Sequence, residues 1–238
     1  LYGMALASKV SIWALAALLP LAAWIYYKNL HEEEKAAALP VLIRNLALAG
    51  VIAFVSFRVF QPYAFSGPGF FGLKLNPNWL SNMRELSTLM KGDVDVPYAL
   101  QWARRPLTFT IQNLVLWGLG APLGVLSLGG LVWMTWRIIR GDWKKHILIW
   151  SWTLFVLVTQ SMNFVKSMRY IISIYPALAL IAAWTIFKLL EKGSAVGRKR
   201  RLGHFNWGRT LSWLTLVVTL LATTLWVAAF SSIYTKPV

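Results

Sequence analysis

Two cations stand three residues apart in the segment 163–176, NFVKSMRYIISIYP: Lys166 and Arg169, the second followed directly by Tyr170. Long apolar runs flank them, and charge that close to hydrocarbon is costly unless water, a carboxylate or an anion meets it. The segment has no acidic residue, so an anion from elsewhere is the natural partner. A lipid phosphate has the right chemistry. Arg presents a fork that takes two phosphate oxygens at once, and Lys acts as a point charge. Tyr170 and Tyr175 add hydroxyl donors and ring faces on which a sugar stacks. The plainer reading is that both cations snorkel, laying apolar stems along the helices and charges among lipid headgroups. Lys9, set between Ser8 and Ser11, carries the same two readings.

A second group lies in GDVDVPYALQWARRP, residues 92–106. Asp93, Asp95, Trp102, Arg104 and Arg105 mix polar and aromatic character, which suits contact with a sugar or an acceptor better than contact with lipid. Asp93 and Asp95 have the spacing of metal-binding carboxylates, but loop and capping carboxylates look the same. One such pair leaves room for a divalent cation and does not require one. No cofactor and no metal site is read from the chain. His31, His146 and His204 are scattered, cysteine is absent, and there is no Gly-rich phosphate loop or nucleophile elbow.

These residues need a scaffold, and composition identifies its solvent. Of 238 residues, 58% are hydrophobic and 13% charged, too apolar for a soluble domain of this length. Roughly six runs approach or exceed the ~18 apolar residues that cross a bilayer as a helix: 2–27, 40–57, 113–136, 147–162, 171–190 and 210–230. The expected fold is all-α, a polytopic membrane helix bundle making a single membrane domain over 1–238. The 14 Trp suit anchoring at the membrane interface. Glu32, Glu33 and Glu34 face Lys28 and Lys35 at helical spacing, as in a solvated helical loop over 28–38.

A long connection, 58–112, separates the second run from the third. Pro62, Gly67, Pro68, Gly69 and Gly72 forbid a regular helix at its start. NPNWLSNMRELSTLMKG then predicts a short amphipathic helix on the membrane surface. It starts at Pro77 or Asn78, shows the stripe Trp79, Met83, Leu86 and Met90, and ends at Gly92. Gly120 and Gly124, then Gly129 and Gly130, read as sites of close helix packing. Pro176 kinks the run 171–190 or delays its start, which leaves Arg169 and Tyr170 on non-ideal backbone.

The formal net charge of +16 would suggest nucleic acid in a soluble protein. In a membrane protein, basic loops hold the cytoplasmic face and meet anionic lipid, and no nucleic-acid partner is expected. Lys28, Lys35, Arg44, Arg137, Arg140, Lys144, Lys145, Lys188, Lys192, the run 198–201 and Arg209 fall on one face, which is then cytoplasmic. The long loop, the Lys166–Arg169 turn, Lys9 and both termini face outward, where Lys9, the loop and the turn can converge above the bundle.

KSMRYIISIYP, residues 166–176, resembles the Lys-x-x-Arg-Tyr…Tyr-Pro segment of bacterial polyprenyl-phosphate-dependent glycosyltransferases. These are membrane enzymes of the GT-C class, similar to protein O-mannosyltransferases and lipid A aminoarabinose transferases. GMALASKVS, residues 3–11, resembles a helix start of that family, and GDVDVPYALQWARRP…NLVLWGLGAPLG is similar to the external loop and next helix of one bacterial branch. The resemblance implies an inverting transfer in a bacterial inner membrane. An acceptor hydroxyl on a protein, lipid or glycan attacks a sugar carried on polyprenyl phosphate. An acidic residue acts as general base, and cations stabilise the departing phosphate. It assigns Lys9, Lys166, Arg169 and Tyr170 to the lipid phosphate, and Asp93, Asp95, Trp102, Arg104 and Arg105 to sugar or acceptor. The family's acid lies in a first external loop near its N-terminus, with no matching position here. The chain, opening on Leu1 within an apolar run, is therefore expected to be the C-terminal membrane portion of a longer protein, without the base. A transporter or flippase of anionic lipid-linked substrates would use the same cations without transfer chemistry. Such proteins show internal repeats and paired interrupted helices, and no repeat relates the two halves. A non-catalytic membrane scaffold is the remaining alternative.

Overall fold

The computed structural model describes residues 1–67, 69, 71–94, 96–199, 207–233 and 235, with the backbone alone at 193–199 and 207. Among the described residues the fold is helical apart from one two-stranded ribbon. Five stretches are long and apolar enough to cross a membrane: Val10–Asn29, Glu32–Phe60, Ala121–Met162, Ile172–Lys192 and Gly208–Ile233. The protein is an all-α integral membrane protein. Large apolar side chains such as Val51, Phe54, Val132, Phe187 and Leu225 stand exposed on these helices, as they do where lipid is the solvent. The chain clusters into two compact units, Leu1–Ala103 and Arg104–Val238.

In the first unit, α1 (Tyr2–Ser8) is followed by a 3-10 segment (Val10–Ala17), α2 (Leu18–Asn29) and α3 (Glu32–Phe60). The apolar run expected to span from residue 2 is broken at Lys9, which is extended at φ −151°, ψ 97°. The Tyr2 hydroxyl donates to the Trp13 carbonyl at 2.7 Å, so α1 folds back along the chain that follows it. Hydropathy averages over such a break; the membrane-length stretch begins at Val10. Gly3 seats α1 on α3: a β-carbon there would lie 2.7 Å from the Ser56 β-carbon and closer still to the Ala53 carbonyl. The acidic run is the first turn of α3, where carboxylates meet the positive end of the helix dipole, and Lys35 pairs with Glu32.

The connection beyond α3 is ordered by one arginine. Arg58, in the last turn of α3, is only 8% exposed. Its Nε donates to Gly72 O at 3.1 Å, its Nη2 reaches Gly69 O at 3.5 Å, and its guanidinium carbon stands 5.0 Å from the Phe65 ring centroid. Around that anchor, β1 (Phe65–Ser66) pairs antiparallel with β2 (Lys74–Leu75). Next comes α4 (Pro77–Lys91), as expected. Asn76 caps it, its side chain accepting from Asn78 N at 3.0 Å, and Gly92 closes it in the left-handed region at φ 86°. Trp79, Met83 and Met90 are half-buried and Leu86 is exposed, and the Trp79 ring lies 6.4 Å from that of Phe57. A 3-10 turn, Pro97–Trp102, follows.

The second unit holds α5 (Phe109–Asn113), a π turn (Leu114–Gly118), α6 (Ala121–Arg137), a second π turn (Ile138–Asp142), α7 (Trp143–Met162), α8 (Tyr175–Lys199) and α9 (Trp207–Ile233). The third run, expected to be one helix over 113–136, is broken before α6. Gly120 adopts φ 77°, ψ 146°, and Pro122 takes the first turn of α6, where its missing N–H costs nothing. Trp226 of α9 covers the break, its indole N–H donating to Trp117 O at 3.3 Å. Gly124 faces Val115 across that break, and Gly130 is the glycine that lets α6 meet α8, at Ile181 and Thr185. Gly129 faces open space.

The stretch Ala121–Met162 is not one long rod. Gly141 has φ 104°, and the Trp150 indole donates to Thr135 Oγ1 at 2.7 Å across 15 residues. In a straight helix those residues would stand about 22 Å apart, so α6 and α7 form a hairpin. The two arms account for the third and fourth expected spans. The core of the unit is the inner face of α8, which packs against α6 and α9 and where Leu178 and Ile181 are fully buried, together with Ile174 of the 3-10 turn that precedes it.

Candidate functional site

The turn between α7 and α8 splits the two cations. α7 stops at Met162 because Asn163 is extended, and the last turn of the helix is left with unpaired carbonyls. Lys166 folds back onto them. Its Nζ donates to Asn163 O at 2.6 Å and to Ser161 O at 2.9 Å, and the residue is 6% exposed. A cation there also meets the negative end of the α7 dipole. That placement depends on where α7 ends, which sequence spacing alone does not disclose. Burial pulls the Lys166 pKa below the ordinary lysine value.

The sign of that shift sets a pH dependence. Between the lowered native pKa and the unfolded value of about 10.4, the unfolded chain holds more protons than the native one, so stability rises with pH. Below the native pKa the penalty for burying the charge is present in full. In detergent, the thermal midpoint of the wild type should climb relative to Lys166→Met as pH is raised through the alkaline range. A constant difference would show that Lys166 is not the group responsible.

Arg169 turns the other way. It lies in a 3-10 turn, Met168–Tyr170, and is exposed. Its Nη2 donates to the Tyr170 hydroxyl at 3.0 Å, and its guanidinium carbon stands 5.0 Å from the Tyr170 ring centroid. A second 3-10 turn, Ile172–Ile174, carries the chain to Tyr175, where α8 starts with Pro176 in its first turn. Pro176 thus delays the helix. The break before α6 lies alongside: a β-carbon on Gly118 would come within 2.5 Å of the Tyr175 hydroxyl and 2.7 Å of the Met168 methyl. Two stretches of non-α backbone therefore face each other, an arrangement tolerated at membrane depth where protein or a polar cavity surrounds it.

Beside this turn runs an apolar groove of about 430 Å³, walled by Leu131 and Val132 of α6 and by Leu157, Val158 and Met162 of α7. Ser161 also lines it, and its hydroxyl is buried with no hydrogen-bond partner among the described residues. The other expected site residues are placed as follows. Lys9 is half-buried at the reversal after α1. Asp93 is exposed just past the α4 cap, its N–H bonded to Thr88 O at 3.0 Å. Trp102 is half-buried at the end of its 3-10 turn. These three belong to the first unit. Arg104 and Arg105 are exposed at the start of the second, with the Arg105 guanidinium 4.7 Å from the Phe109 ring centroid. Asp95, the run 200–201, His204 and Lys236 lie outside the described residues. Among the described residues no three His, Cys, Asp or Glu side chains stand together as metal ligands.

Two features escaped sequence reasoning. Arg58 reads as an ordinary arginine at the edge of an apolar run; the aromatic residues and glycines after it are the only signal of its anchoring role. His146, 8% exposed, packs edge-on to Trp184 at 5.1 Å between centroids, a contact that spans 38 positions of sequence (184 less 146) and has no local signature. No protein-family model, no curated protein and no solved structure matches the chain.

Proposed function

We propose that this chain is the membrane portion of a glycosyltransferase that moves a sugar from a polyprenyl phosphate carrier to an acceptor on the outer face of a bacterial inner membrane. One observation carries the reading: the exposed Arg169 guanidinium, braced by Tyr170 on a 3-10 turn between two membrane-length helices. In such a transfer the acceptor oxygen attacks the anomeric carbon as the bond to the carrier phosphate breaks. The phosphate leaves with the electron pair, and a general base takes the acceptor's proton. Negative charge grows on the departing phosphate, and a fixed planar donor stabilises it more than it stabilises the donor ester. Lys166 contributes by holding the turn. The apolar groove beside α7 offers a seat for the carrier chain, and the excess of Lys and Arg on the other loops supports an outward-facing turn.

The transporter reading draws support from the facing interruptions at Gly118–Gly120 and 163–174, since interrupted helices line the substrate sites of many carriers. Reconstituting the full-length protein in liposomes with a panel of labelled polyprenyl phosphate sugars separates the two. Label appearing on an acceptor supports transfer. Label crossing the bilayer still attached to its carrier, with no new glycoside, would overturn transfer in favour of transport.

A further inference from the structure

We infer that the opposite end of α7 holds a binding site for the headgroup of an anionic phospholipid. The inference rests on the membrane character of the fold and not on the glycosyltransferase reading. With 20 residues, α7 places its first turn about 30 Å from the Lys166 turn, so the two sites are separate.

The site is built on the last turn of α6 and the π turn that follows. Trp133, Arg137 and Arg140 recur at helical spacing on one face, and Trp136 lies beside Arg140. The Arg140 guanidinium carbon stands 4.6 Å from the Trp136 ring centroid. Lys192, reaching across from α8, places its Nζ 4.3 Å from the Trp133 ring centroid. Two exposed cations thus lie against two indoles at the end of membrane-length helices, the depth at which indole and basic side chains meet headgroups.

The carboxylates described at this end, Asp142 and Glu191, have other partners. Among the described residues the ion pairs at this end are Arg137–Asp142, Lys145–Asp142 and Lys188–Glu191, and none uses Arg140 or Lys192. Arg137 Nε is buried and has no hydrogen-bond acceptor among the described residues. A phosphodiester supplies what is missing: diffuse negative charge for Arg140 and Lys192, with glycerol ester carbonyls and acyl chains continuing into the apolar zone below. This is more than the general attraction of a basic loop to a membrane, because the indole faces fix where the two cations stand. A zwitterionic headgroup carries a choline or amine that these cations repel, so the site distinguishes lipids by net charge.

The test uses full-length protein in detergent, titrated separately with dioleoylphosphatidylglycerol and dioleoylphosphatidylcholine, with bound lipid counted by native mass spectrometry. The anionic lipid should bind about 25-fold tighter at low salt and lose that advantage as salt screens the contact. Each basic residue near an anionic headgroup is worth about fivefold in affinity. Arg140→Gln and Lys192→Gln should therefore each weaken phosphatidylglycerol by about fivefold and together by about 25-fold, leaving phosphatidylcholine unchanged. Both side chains are exposed, so the variants keep the fold. Lys91→Gln, which removes one charge from α4, should retain the preference. Equal binding of the two lipids, or a preference that survives the double substitution, would overturn the site.

Discussion

Arg169→Ala should lower sugar transfer from a polyprenyl phosphate donor by about 100-fold, the usual loss when one donor to a developing negative charge is removed. The loss should fall mainly on kcat, because the phosphate gains charge as the glycosidic bond breaks and the guanidinium answers that gain. Arg169→Lys restores the charge but not the planar fork, so it should recover only part of the rate. Tyr170→Phe tests the brace: the 3.0 Å bond from Arg169 disappears while the ring remains under the guanidinium, and the expected loss is smaller. Because Arg169 is exposed, neither of its substitutions should change the thermal midpoint appreciably. Unchanged transfer in Arg169→Ala would make Arg169 a residue that only snorkels to headgroups, and the proposed site would fail with it.

The second large effect concerns neighbouring glycines with opposite environments. A β-carbon on Gly130 would lie 2.8 Å from Ile181 Cγ2, 3.1 Å from the Ile181 carbonyl, and still closer to Thr185 Oγ1. The carbonyl is backbone, and Thr185 is held by its own bond to it at 2.8 Å, so neither moves aside easily. Overpacking of this kind costs about 1–3 kcal/mol for a methyl-sized intrusion, out of a total stability on the order of 5–15 kcal/mol. Gly130→Ala should lower the thermal midpoint clearly, and Gly130→Leu should abolish recovery of folded protein by size exclusion. Gly129 has nothing within 4 Å of its β-carbon position. Gly129→Leu should be tolerated, with up to ~0.8 kcal/mol gained from helix propensity. Equal behaviour of the two leucine variants would mean that α6 does not pack on α8 through this face.

The fold was legible wherever a local rule decided it. Pro77 opens α4 and Gly92 closes it because such signals act over about four residues, though the cap itself is Asn76, and Pro176 sets the start of α8 for the same kind of reason. The breaks at Lys9 and Gly120 were not legible. Hydropathy averages across them, and each is held by a distant contact, Tyr2 with Trp13 in one case and Trp226 with Trp117 in the other. At the candidate site the sequence pointed to one turn and read its two cations in a single role. Three-residue spacing makes Lys166 and Arg169 look like partners in one task. The carbonyls at the end of α7 draw Lys166 inward, whereas Arg169 stays exposed.

The contact between Ser127 and Leu178, a 3.0 Å bond spanning 51 residues, bears on the order of assembly during synthesis. At ~5–20 residues per second, several seconds separate the emergence of its two ends. The α6–α7 hairpin can close early through the bond between Trp150 and Thr135, but the face it keeps for α8 must wait in lipid. Ser127 is equipped for that interval: its one hydroxyl proton has a second acceptor within reach, Leu123 O at 2.8 Å within α6. The nascent hairpin therefore needs no chaperone for this hydroxyl, and a pause in translation before α8 should leave Ser127 paired within its own helix.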